Sequence, residues 1–158
     1  MPPVSIVCVA AAYACFGVLG ILLAVIDLRT HRLPNRWVSL AGGVGCILLP
    51  LAAFAADAPG RSWGAVLGAG AVGAGYLLLW LATPAGIGAG DVKLAAVVGL
   101  HLGWWGWPTV ILGTAFAFVL GGLAALGAVI VARGDRGAAI PFGPWMIGGA
   151  WTAMVPAM

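Results

Sequence analysis

The amino-acid sequence predicts an all-α fold, a polytopic integral membrane bundle of about six transmembrane helices, and three observations predict it. Asp, Glu, Lys and Arg make up 7% of the 158 residues, against about 25% in an ordinary soluble domain. Apolar runs of about 20 residues, the length that crosses a bilayer as a helix, recur along the whole chain. These runs are continuous and rich in Leu, Ala, Val and Gly, whereas a membrane barrel alternates apolar and polar residues in short strands. No soluble domain fits beside the spans, so residues 1–158 are expected to form a single membrane domain. The net charge of +3 comes from a few loop bases and does not describe a nucleic-acid surface.

The spans follow in order. The first, 4–26, lacks the basic flank of a cleaved signal peptide and ends at the charged stretch DLRTHRLPNR. The second, 37–55, stops at the turn-like ADAPGRS, and the third, 63–82, runs into TPAGIGAGD. A shorter fourth, 92–102, ends at WWGWP. The fifth, 109–132, leads to RGDRG, and the sixth, 140–155, opens with IPFGP. Six spans put alternate loops on alternate sides. Arg29, Arg32, Arg36, Lys93, Arg133 and Arg136 then share one face, and only Arg61 lies on the other. Six of the seven bases on one side identify that side as cytoplasmic. Both termini are expected outside.

Small residues recur at helix-packing spacing: Gly64 and Gly68, Ala69 and Gly73, Ala71 and Gly75, and Gly113, Ala117 and Gly121. Such spacing lets helix backbones approach closely, here within one chain; the oligomeric state is left open. Trp37, Trp63, Trp80, Trp104, Trp105 and Trp107 stand near span ends, as interfacial anchors do. Cys8, Cys15 and Cys46 lie in apolar runs without a Cys-x-x-Cys pair or a histidine cluster. They read as buried free thiols, and no metal site is expected.

The four acids are all aspartates. Asp57 and Asp135 read as solvated loop residues. Asp27 and Asp91 stand at the cytoplasmic ends of spans, where an ionised carboxylate costs on the order of 2.5–3.5 kcal/mol deep in a helix and marks a functional site by default. Taken singly, either reads as an interfacial residue paired with Arg29 or Lys93. Taken together, the topology lets them meet across the bundle. Two carboxylates in contact resist double ionisation, share a proton near neutral pH and titrate as a unit. One then activates water while the other protonates a peptide carbonyl, the chemistry of an aspartic protease. Gly86, Gly88 and Gly90 keep the backbone ahead of Asp91 permissive and unobstructed; alone they equally well separate two spans.

These residues carry a resemblance. GAGDVKLAAVVGLHLGW, with Gly88, Gly90, Asp91 and Lys93, resembles the GxGD core of the type IV prepilin peptidase family. DLRTHRLPNRW, with Asp27, Pro34 and Asn35, is similar to the family's first motif. IPFGPWMIGGA is similar to its late motif, here Pro141, Phe142, Gly143 and Pro144. The resemblance implies an aspartic endopeptidase with Asp27 and Asp91 as the catalytic pair and Lys93 in an electrostatic or orienting role. It implies a multi-pass protein of the cytoplasmic (inner) membrane that removes the short basic leader of type IV prepilins or pseudopilins at the cytoplasmic face. The expected partners are therefore that leader and the lipid bilayer, with no nucleic acid. Long members carry an N-terminal cytoplasmic insert and also methylate the product. Nothing comparable lies between spans one and two, so no methyltransferase or zinc insert, no S-adenosylmethionine site and no cofactor is expected. The form resembles the short peptidases of Flp/Tad pili and archaeal preflagellins. Two other readings are a small proton- or cation-coupled transporter subunit and a non-catalytic pilus or secretion assembly subunit. Against transport, the spans show no internal repeat and the acids sit at one face.

Overall fold

The computed structural model describes residues 1–83, 87–131 and 141–158. Gly86, Arg133, Asp135 and Arg136, the end of the predicted fifth span and the start of the sixth lie outside the described residues. Among those described, six α-helices follow one another: α1 (Pro3–Thr30), α2 (Asn35–Ala55), α3 (Pro59–Ala82), α4 (Ala89–Trp104), α5 (Trp107–Val131) and α6 (Gly143–Met154), with a last 3₁₀ turn at Val155–Ala157. The result is an all-α membrane bundle. Four helices, α1, α2, α3 and α5, are long and apolar enough to cross a membrane. The other two are shorter, 16 residues in α4 and 12 in α6.

The shortness of α4 has a packing reason. It touches α2, α3, α5 and α6, and every residue from Val97 to Trp104 is buried. A helix that is apolar all round belongs at the centre of a bundle, where protein and not lipid sets its length. Its closest neighbour is α3, and glycines make the approach. A Cβ on Gly64 would meet the Gly103 carbonyl oxygen at 2.6 Å, and one on Gly68 would meet both the Gly99 oxygen and the Gly103 Cα. The spacing of Gly64 and Gly68 thus finds its counterpart in Gly99 and Gly103, a pair with the same spacing that the sequence reading passed over.

Other predicted small-residue contacts divide. Gly73 packs on Ala96, Gly113 on Leu102, and Ala117 on Gly149. A Cβ on Gly75 would meet nothing within 4 Å, so that glycine makes no close helix approach among the described residues. Two expectations need correction. Of the three free thiols only Cys8 is buried; Cys15 is half-buried and Cys46 exposed, because helix faces turned to lipid are as apolar as the core. Trp104, read as an interfacial anchor, is 2% exposed and belongs to the core, unlike Trp63 and Trp107.

The connectivity brings four segments to one end of the bundle: the last turn of α1, the turn 31–34, the start of α4 and the start of α6. Those segments hold all three sequence motifs.

Candidate active site

Asp27 lies in the last turn of α1 and is 4% exposed. The helix stops at His31, whose backbone is left-handed (φ 50°) and whose N–H donates to the Asp27 carbonyl at 2.9 Å. The chain then turns through Leu33 and Pro34. Proline holds the backbone extended there (φ −66°, ψ 120°) and lets α2 start at Asn35. A buried carboxylate needs a donor. Asp27 has one from a remote part of the sequence: the Gly143 N–H donates to its Oδ2 at 3.0 Å.

Asp91 occupies the first turn of α4, ahead of the helix's apolar stretch. The Gly88 N–H donates to its Oδ2 at 3.0 Å, closing the helix N-terminus as a capping carboxylate does. The two aspartates are therefore held alike, each by a backbone amide at a helix start (α4 for Asp91, α6 for Asp27). Unpaired amides and the helix dipole favour negative charge at both places. Burial nevertheless holds the Asp91 carboxyl above the usual carboxylate range; the Gly88 amide opposes this and the negative charge of Asp27 adds to it. Asp27 and Asp91 line one cavity of about 390 Å³ with His31, Leu33, Asn35 and Lys93.

The glycines act by what they lack. Gly88 sits at φ −81°, ψ 149°, extended backbone open to any residue, so conformational permissiveness is not its role. Space is. A Cβ on Gly90 would meet the Leu33 Cβ at 3.0 Å, and one on Gly143 would meet Asp27 Oδ2 at 2.8 Å. Leu33 thereby touches both glycines and wedges the first motif against the second and third. Lys93 Nζ donates to Asn35 Oδ1 at 2.9 Å, a second tie between the first two motifs, at the exposed rim.

In the third motif Phe142 leaves the cavity and packs among Tyr76 and Phe118, with ring centroids 5.9 and 5.5 Å away. Pro144 lies in the first turn of α6, where a missing N–H costs nothing. Pro141 precedes the helix, half-buried. Sequence reasoning missed three residues here. His31 and Leu33 fall between motif positions and carry no pattern of their own. Tyr76 is 2% exposed, its hydroxyl has no partner among the described residues, and its surroundings include the charge of Asp91. It is one of only two tyrosines in the chain, and a polar tip inside an apolar span was the available signal. Asp57 is exposed in the α2–α3 turn, away from this site.

Comparison with known proteins adds to this geometry. The sequence profile of the type IV leader peptidase family matches residues 13–126, a stretch that includes both Asp27 and Asp91. A prepilin leader peptidase/N-methyltransferase from Burkholderia pseudomallei is 38% identical over 155 residues, covering 88% of this chain and 45% of its own length. One from Stutzerimonas stutzeri is 33% identical over 136 residues, covering 84% of this chain and 45% of its own. One from Escherichia coli K12 is 30% identical over 166 residues, covering 89% and 68%. The chain thus spans about half the length of the first two relatives. No solved structure matches it. With 114 of its 158 residues inside the family profile, the chain belongs to the type IV leader peptidase family.

Proposed function

We propose that the chain is an aspartic endopeptidase that removes the short basic leader from type IV prepilins or prepilin-like proteins. The observation that carries this reading is the shared cavity, in which Asp27 and Asp91 face one space while each is held by its own backbone amide. The names of the relatives supply the substrate class.

The mechanism needs two carboxylates and one water. The pair shares one proton because the low-dielectric site disfavours two charges in one cavity. The ionised member takes a proton from water as its oxygen attacks the scissile carbonyl carbon; the protonated member gives its proton to the carbonyl oxygen. In the resulting gem-diol the C–N bond breaks, the proton taken from water passes to the leaving amine, and the second carboxyl recovers its own from a hydroxyl. Neither aspartate becomes covalently bound. The Gly88 and Gly143 amides hold the carboxylates throughout. Lys93 sets the rim through Asn35 and is not a nucleophile.

The charge bias of the loops supports a cytoplasmic position for both aspartates, at the inner-membrane face where the leader would be cut, with both termini outside. Residues 31–34 join α1 to α2, and the shortness of that connection supports a reading without an insert there. The reading is of one membrane peptidase domain, and the methyl-transfer half of the relatives' names is not carried over to this chain.

The test is co-expression with candidate prepilins from the same genome, followed by N-terminal sequencing of the product. A mature N-terminus just before the pilin's apolar segment is the expected result. Intact leaders on every prepilin-like protein, with the enzyme accumulated in the membrane, would refute the proposal.

A further inference from the structure

At the end of α4 farthest from Asp91, about 20 Å along the helix, a second polar site is built with the opposite chemistry. A cavity of about 400 Å³ lies between the start of α3 and the end of α4, lined by Arg61, Trp63, Gly64, Trp104, Trp105 and Trp107 among others. The Arg61 guanidinium carbon stands 5.4 Å from the Trp104 ring centroid and 5.7 Å from that of Trp105. Cation–π contact fixes the cation in place but accepts none of its N–H bonds.

Three donors are left over. Arg61 Nη1, Trp104 Nε1 and Trp105 Nε1 are buried and have no hydrogen-bond partner among the described residues, and Trp104 is 2% exposed. All three groups only donate, so no rotation pairs one with another. Buried donors are almost always satisfied; these find no acceptor among the described residues and are free to take one from a bound molecule. Asp57, the nearest acid in sequence, is exposed and is not part of the lining. A planar guanidinium flanked by an indole N–H suits an anion with several oxygens, above all phosphate. Exposed Trp63 and Trp107 at the rim set the cavity at the depth where lipid headgroups lie.

We propose that this cavity binds a phosphate-bearing headgroup at the membrane face opposite the aspartates, with Arg61 and Trp104 as the donors. The proposal is independent of the peptidase reading.

The test uses the full chain purified in detergent, titrated with phosphatidylglycerol, with diacylglycerol of the same acyl chains, or with inorganic phosphate, and read by native mass spectrometry. Wild type should retain one phosphatidylglycerol about tenfold more readily than diacylglycerol, and Arg61→Gln should lose about that preference, as expected for a charge-assisted hydrogen bond. Trp104→Phe keeps the ring and removes the N–H; its loss should be smaller, about threefold. Inorganic phosphate that displaces the lipid identifies the free anion as sufficient, and phosphate that does not displace it identifies the lipid as the occupant; either supports the site. Equal retention of phosphatidylglycerol and diacylglycerol by wild type, or unchanged retention in Arg61→Gln, overturns it. If Arg61→Gln does not accumulate, unchanged retention in Trp104→Phe overturns it alone.

Discussion

At one end of α4 a carboxylate is partly buried and a glycine N–H answers it; at the other an arginine N–H and two tryptophan N–H groups are buried and nothing among the described residues answers them. Between the two ends runs a glycine seam against α3 that needs neither charge nor hydrogen bond. The contrast shows how a protein this poor in charge places polar chemistry. At the Asp91 end the polar partners are backbone amides, which need no second charged side chain and cost the membrane domain no further insertion energy. Both amides belong to glycines, because the carboxylates lie where a Cβ would crowd them.

That contrast is broken most severely at the acids. Asp27→Asn and Asp91→Asn should each lower leader removal by about a hundred- to ten-thousand-fold, the usual worth of general acid–base catalysis, at unchanged membrane accumulation. A quantitative gel-shift time course checks this. Gly143→Ala should rank second. Its Cβ would stand 2.8 Å from Asp27 Oδ2 and displace the carboxylate, for a loss of about tenfold to a hundredfold in rate. Gly122→Ala, which meets open space, should cleave like wild type in the same assay.

The seam should respond in stability and not in chemistry. Gly68→Val must push α3 off α4 and should destabilise by about 1–3 kcal/mol, seen as a lower Tm in detergent, while protein that remains folded keeps its rate. Smaller still is the exposed rim. Asn35→Ala removes the Lys93 hydrogen bond and should slow cleavage by no more than about fivefold, as exposed polar pairs contribute little.

The pH dependence sharpens the comparison further. Burial raises the Asp91 pKa, so the folded chain keeps that proton to a higher pH than the unfolded chain. The group's stabilising contribution is full below the ordinary carboxylate range and is lost as pH rises through the raised value. The Asp91→Asn variant has no such loss. Its Tm should equal that of wild type in acid and exceed it once the pH has passed the raised Asp91 value, as a pH series of melting curves would reveal.

The fold was legible because a bilayer imposes length and hydropathy together; all six helices lie close to their predicted spans. Asp27 and Asp91 were legible for a related reason: in a chain with four acids, one inside an apolar boundary stands out. The amide of Gly143 was not, because a backbone donor has no side-chain signature, and its motif was visible only through resemblance. Leu33 was hidden for the opposite reason, as one leucine in a chain full of apolar residues. Gly99 and Gly103 carried a readable spacing that went unread. Trp104 misled because tryptophan near a span end suits the interface and the core equally well.

The central claim is that Asp27 and Asp91 work as one unit, and the rates of Asp27→Asn, Asp91→Asn and the double variant on one purified prepilin test it most directly. Groups that act together are non-additive, so each single variant should fall nearly as far as the double. A single variant with near-wild-type rate, or two losses that simply multiply in the double, would contradict the shared-proton pair.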